Sequence, residues 1–265
     1  MFKTSIIISH KSRSPERLRN LKIVVSWLGQ IIKKTDEVEL ILVEQGESET
    51  VCLDELEKVT LPMKCKFVYK SGLFNKSWGY NIGAKMAKYD NLLFIDNDII
   101  LSRQALEIGF KLSSFVEGVR FYDRLYALSE AETRNLEASL DYPPKTNRIL
   151  RDFSVPGGFF LIKKDLFYKI GGWDEEFEGW GGEDDAFTHK LSKHLVAAVT
   201  IPAYHLNHPS FGEYDDPKQF EIVKEVFKKI RSLTYDEIIS KAKQLSIGKE
   251  DKYLGKKASG DTSKS

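Results

Sequence analysis

Cysteine is nearly absent: Cys52 and Cys65 are the only two in 265 residues, and they lack CxxC spacing. A disulfide framework and a thiolate metal site are thereby excluded, and both read as packing thiols in helix and strand positions. No apolar run approaches the ~20 residues of a spanning helix, and Phe2 to Ser9 is too short for a signal sequence, so a cytoplasmic protein without a membrane span is expected. An excess of either charge is missing as well. The 40 Lys and Arg against 39 Asp and Glu leave a formal +1, which gives no global field for nucleic acid or an anionic membrane. What is present, 42% apolar and 30% charged residues, suffices for a substantial core.

The first half alternates two periods. Thr4 to Ser9 reads as a strand, and Glu16 to Lys33 as a helix with Leu18, Leu21, Val24, Val25 and Leu28 on one face. Strands follow at Glu39–Val43, Cys65–Tyr69 and Asn91–Ile95, with helices at Glu49–Lys58 and Ser77–Lys88 between them. This βαβαβαβ order predicts an α/β fold: a three-layer sandwich with a mostly parallel central sheet, with ligands collecting beyond the carboxyl ends of the strands.

The second half is less regular. Helices are expected at Ser102–Phe115, Ser129–Leu140 (with Glu132 closing a capping box), Lys164–Ile170, Glu183–Ser192 and Pro217–Leu233. Arg120–Leu128 reads as extended, Asp141–Arg151 as a loop, and Val155–Ile162 as a compact apolar segment. Thr234 and Glu237 open a final helix, so residues 1–233 form the main domain, 234–247 a C-terminal helix and 248–265 a disordered tail.

Two clusters carry chemistry. Asp96 and Asp98 lie two positions apart at the end of an apolar strand, and such paired hard oxygens suit Mg²⁺ or Mn²⁺ bridging a diphosphate. Downstream, Trp180-Gly181-Gly182-Glu183-Asp184-Asp185 sets an indole, able to stack on a sugar face, beside three acids able to accept hydroxyl protons.

The motifs Phe94-Ile95-Asp96-Asn97-Asp98, Gly157-Gly158-Phe159-Phe160, Gly171-Gly172-Trp173 and Trp180 to Asp185 together resemble those of GT-A (Rossmann-like) inverting glycosyltransferases. The similarity, over about Thr4 to Pro209, is to β-1,4-galactosyltransferases, polypeptide N-acetylgalactosaminyltransferases and bacterial chondroitin-type polymerases. It implies Mn²⁺-dependent (or Mg²⁺-dependent) transfer of a hexose or N-acetylhexosamine from a nucleotide-sugar, a UDP-sugar, to a saccharide acceptor in surface polysaccharide synthesis.

Position by position, the resemblance makes Asp98 the metal-binding residue of the DXD motif and Asp96 a ribose contact. It places His10, Arg13, Glu44, Lys76 and Asn81 on the nucleotide and Gly157 and Gly158 beside the donor sugar. His205 becomes a second metal ligand, with His208 in reserve. Asp184 matches the general base, Glu183 supports it, and Trp180 and Asp185 face the acceptor; sequence alone does not separate the three consecutive acids. A sugar nucleotidyltransferase fits less well, because no glycine precedes Gly29 to form a phosphate loop after the first strand. An inactive, carbohydrate-binding relative is the non-enzymatic alternative.

Overall fold

The computed structural model describes residues 3–32, 37–51, 56, 61–140, 142–209 and 217–254. Four strands build the parallel core: β1 (Thr4–His10), β2 (Val38–Gly46), β3 (Met63–Tyr69) and β4 (Asn91–Ile95). Helix α1 (Pro15–Ile31) follows β1, and α2 (Lys76–Met86) connects β3 to β4. After β5 (Ile99–Leu101) come α3 (Arg103–Leu112), β6 (Gly118–Arg120), β7 (Leu125–Ala127), α4 (Glu130–Ser139), β8 (Ile149–Arg151) and β9 (Phe159–Lys163). The chain ends through α5 (Lys164–Lys169), α6 (Glu183–Lys190), β10 (Val196–Ala198), β11 (Ala203–His205), α7 (Pro217–Arg231) and α8 (Tyr235–Ala242).

The larger sheet runs β10-β6-β9-β4-β1-β2-β3, with β9 antiparallel to both neighbours; the smaller runs β5-β11-β7-β8. Alternation along the buried strands makes the layers. Ile6 and Ile8 face one side with Leu21, Val24 and Leu28 of α1, whereas Ile7 faces the other with Trp78, Tyr80 and Ile82 of α2. Polar caps set the helix starts: Ser14 Oγ accepts from Arg17 N with Pro15 in the first turn, and Asn75 Oδ1 accepts from Trp78 N at 2.8 Å. The capping box on Ser129 is present, as is the one on Thr234.

Several expectations need correction. The segment 141–151 holds a strand, β8, because Leu125 and Tyr126 offer it an edge to pair with. The stretch from Arg120 to Leu128 is two short strands in different sheets, not one. Residues 248–254, expected in a disordered tail, pack instead: Tyr253 is buried against Trp78, 4.8 Å between ring centroids. The helix expected at Glu49–Lys58 falls mostly outside the described residues, as do Cys52 and 255–265. Cys65 is a free thiol on β3, pushed up to about 11 by burial, which suits packing and not reactivity.

Helix α2 lies so close to β1 that a Cβ on Gly83 would overlap Ile7. Gly83→Ala is therefore expected to destabilise the fold by about 1–3 kcal/mol through overpacking. Were there room, the methyl would stabilise the helix by about 1 kcal/mol. The sign of the change in a urea melt decides between them.

Candidate active site

Strand β4 ends at Ile95, so Asp96 and Asp98 lie in the turn to β5 and no longer follow the pleat. Their carboxylates reach different partners on the wall of one cavity of about 650 Å³. Asp98 meets two histidines because β11 pairs antiparallel with β5, setting His205 opposite Ile99, and because Leu206 N donates to the Asp98 carbonyl at 2.7 Å. His208 Nε2 is 3.2 Å and His205 Nε2 3.8 Å from Asp98 Oδ2, which Arg17 Nη1 also approaches at 2.9 Å. Burial opposes the Asp98 charge, but in the acid range where this carboxyl would take up its proton, protonated His205, His208 and Arg17 hold it well below the usual range.

This cluster fits a cation. His208 Nδ1 faces the Pro209 carbonyl at 2.9 Å, so the ring proton sits there. The buried Nε2, 3.2 Å from Asp98 Oδ2, has no hydrogen-bond partner among the described residues. Burial lowers His205 to about 4, keeping it neutral near pH 7 despite Asp98. One carboxylate and two imidazoles, with ligand atoms all within 4.8 Å of one another, form a set suited to a divalent metal.

The opposite wall is built around Lys76 at the start of α2. Its ammonium is 2.7 Å from Glu183, 3.5 Å from Asp184 and 3.7 Å from Asp96. Burial works against the charge, yet Asp184, Asp96 and Glu183 raise the Lys76 pKa well above its ordinary value. Tyr80 Oη bridges Asp96 Oδ1 at 3.0 Å and the Gly157 carbonyl at 3.1 Å. Gly157 N donates to Asp184 Oδ1 at 2.8 Å, an approach that only glycine permits, since a Cβ there would overlap the Asp184 carboxylate and the Lys76 ammonium.

Glu183 and Asp184 occupy the first turn of α6, where the helix dipole favours acids. Burial raises Asp184 to about 7; Lys76 opposes the rise, and Glu183 and Asp96 add to it. Trp180, 49% exposed, lines the cavity beside them.

Of the residues singled out from sequence, Asp96, Asp98, Lys76, Trp180, Glu183, Asp184, His205 and His208 thus line one cavity. His10 does not line it: it is buried, lowered to about 3 by desolvation, and contacts the Asn97 side chain while Ser12 Oγ lies 2.8 Å from Nε2. Glu44 is turned to the loop after β2, accepting from Thr50 N and Val51 N. Asn81 clamps Trp173, donating to its carbonyl and accepting from its N–H. Gly158 packs under Tyr122, Arg13 stands outside the cavity lining, and Asp185 is exposed.

Sequence reasoning missed Arg17, Tyr80 and the cavity-lining Arg148 and Arg151. Arg17 had one available signal: a cation in the first turn of a helix opposes the macrodipole and calls for a carboxylate nearby.

Residues 145–210 match a family model described as the N-terminal domain of galactosyltransferase. Among curated proteins, the chain is 30% identical over 152 residues to chondroitin sulfate N-acetylgalactosaminyltransferase 2 of Mus musculus, covering 51% of this chain and 27% of that protein. It is 27% identical over 233 residues to the chondroitin synthase of Pasteurella multocida (strain Pm70), covering 71% and 22%. The chain therefore spans about a quarter of the length of these two relatives.

Among solved structures, S. aureus TarS 1–349 in complex with UDP-GlcNAc superposes with a TM-score of 0.61 at 15% identity, over 91% of this chain and 71% of that one. The mannosyltransferase PcManGT from Pyrobaculum calidifontis, in complex with GDP-Man and Mn²⁺, gives 0.55 at 15% identity over 91% and 68%. The chain has the GT-A glycosyltransferase fold and carries, at 145–210, a segment of the galactosyltransferase type.

Proposed function

We propose that this protein transfers a hexose or N-acetylhexosamine from a UDP-sugar to a saccharide acceptor, with inversion and with a divalent metal. The observation that carries the reading is the single cavity in which the Asp98–His205–His208 cluster faces Asp184. Asp98, His205 and His208 would hold the Mn²⁺ or Mg²⁺, which would supply positive charge to offset the diphosphate of the donor and of the leaving group. The two imidazoles favour Mn²⁺ over Mg²⁺, which prefers oxygen ligands and water.

The remaining chemistry belongs to this chain's own side chains. Asp184 takes the proton from the acceptor hydroxyl, whose oxygen attacks the anomeric carbon as the nucleoside diphosphate departs. Gly157 N–H and Lys76 fix the orientation of that carboxylate, and Glu183 holds Lys76. The Trp180 indole provides a face for the acceptor ring, and the exposed Asp185 serves the acceptor as well. Asp96 and Lys76 serve the donor, flanked by Gly157 and Gly158, with Arg13 toward the nucleotide. His10, Glu44 and Asn81 act from behind, by fixing Asn97, the loop after β2 and the turn at Trp173.

Similarity to the bacterial chondroitin synthase supports a role in polysaccharide synthesis, which we place in the cytoplasm with the donor nucleotides. Among the described residues no helix is long and apolar enough to cross a membrane.

The metal assignment is tested by calorimetry with UDP and Mn²⁺. Asp98→Ala and His208→Ala should each weaken metal-dependent UDP binding more than about tenfold, the lower range even for residues that only support a ligand. Unchanged affinity in His208→Ala would remove His208 from the metal. Asp184→Asn should keep Mn²⁺-dependent UDP affinity and lose about 10²–10⁴ in kcat, with Asp185→Asn as the milder control. Near-normal turnover in Asp184→Asn would move the base along the cluster.

The rate should also follow the ionisation of Asp184. Burial raises this group to about 7, so it is protonated and inactive below that pH and becomes a base above it. The log of kcat/KM is expected to fall with decreasing pH below about 7, and Asp184→Asn should abolish that limb.

A further inference from the structure

Between Gly248 and Leu254 the chain lies across the start of α2 and the segment that leads to Trp180. Gly248 N donates to Glu175 Oε1, Trp78 Nε1 donates to the Lys249 carbonyl at 2.8 Å, and Lys252 Nζ pairs with Glu175 Oε2 at 2.9 Å. Tyr253 is 4% exposed, with its ring edge-on to Trp78 and the Lys70 ammonium 4.2 Å from the ring centroid. Its hydroxyl donates to Glu178 Oε1 at 2.6 Å and accepts from Asn75 Nδ2 at 3.0 Å. Burial first and Glu178 next raise the phenol's pKa, so the hydroxyl keeps the proton it donates.

Glu178 is the last residue before Gly179-Trp180-Gly181-Gly182. All three glycines have φ between 83° and 95°, a backbone that L side chains rarely adopt and that has little stiffness of its own. The segment is held at both ends. Downstream, Glu183 is tied to Lys76; upstream, Glu178 Oε2 meets Lys70 Nζ at 3.0 Å, and Gly179 N donates to the Phe74 carbonyl at 2.7 Å. Trp180 projects into the cavity between these anchors.

We propose that Tyr253 is a positioning residue: by fixing Glu178 it sets the upstream end of the Gly179–Gly182 segment and aims the Trp180 indole at the acceptor. The kinetic consequence rests on the transferase reading above; the ordering of the segment does not. The C-terminal turn is thereby part of the acceptor side of the site, although it lies some seventy positions beyond it in sequence.

The test uses full-length Tyr253→Phe, which keeps the ring and deletes both hydroxyl bonds. Hydrogen exchange in peptides spanning 177–182 should quicken by about fivefold or more, with the central sheet unchanged. Acceptor KM should rise about tenfold, the equivalent of one charge-assisted hydrogen bond, while kcat and Mn²⁺-dependent UDP affinity stay within about twofold. Lys252→Ala, which breaks a neighbouring ion pair to Glu175, should leave both readouts near wild type.

Unaltered exchange at 177–182 would overturn the proposal. So would faster exchange throughout the molecule with a lowered Tm, or a local exchange change with an unmoved acceptor KM in an active enzyme. Exchange requires no substrate, so a chain that transfers no sugar yet shows the local effect refutes the transferase reading and upholds Tyr253. Normal transfer with unaltered exchange does the reverse.

Discussion

The buried ammonium of Lys76 is the constraint on which the site depends. It carries one positive charge into a pocket shared with Glu183 and Asp184 at the start of α6 and with Asp96 just beyond β4. Removing one partner from such a buried group typically costs about 3–5 kcal/mol, because the remaining charges lose compensation outside water. The start of α2, the start of α6 and the end of β4 are thus held in one arrangement by charge as well as by packing. Burial first, and then the neighbouring carboxylates Glu183 and Asp96 against the pull of Lys76, lift Asp184 to about 7.

Across the cavity the balance is reversed. Asp98 is a single buried carboxylate among Arg17, His205 and His208, and it stays ionised. The two walls therefore tune two aspartates, one in a turn and one on a helix, in opposite directions: Asp98 stays charged, and Asp184 is poised to exchange a proton near neutral pH. The division follows from topology: β11 returns beside β5 and brings the histidines to Asp98, while β9 runs antiparallel to β4 and brings the Gly157 turn to Asp184.

A large part of this organisation can be read from the chain alone. Uninterrupted apolar runs at Ile6–Ile8, Leu40–Val43 and Leu92–Ile95 require burial on both faces, which forces helices onto each side of a parallel sheet. The acids at 96, 98 and 183–185 stand where strands end and a helix begins, positions at which charge is either solvated or used. Short elements were harder. β8 lies in a Pro-containing stretch with no alternation of its own and becomes a strand only because β7 offers an unpaired edge. The last turn, rich in Lys and Gly, reads as solvent-exposed, yet one aromatic residue, Tyr253, finds a slot between Trp78, Lys70 and Glu178.

Sequence by itself determined the layered α/β frame, the helix caps and the residue types available for metal binding and proton transfer, since these depend on periodicity and on chemistry local to a few positions. Only the tertiary structure decided which of those residues meet. His10, Glu44 and Asn81 meet Asn97, the loop after β2 and Trp173, while Arg17, Tyr80 and Tyr253 bond Asp98, Asp96 and Glu178. Hydrogen bonds and ion pairs between positions tens to more than a hundred residues apart are fixed by strand order and register, and no local pattern encodes them.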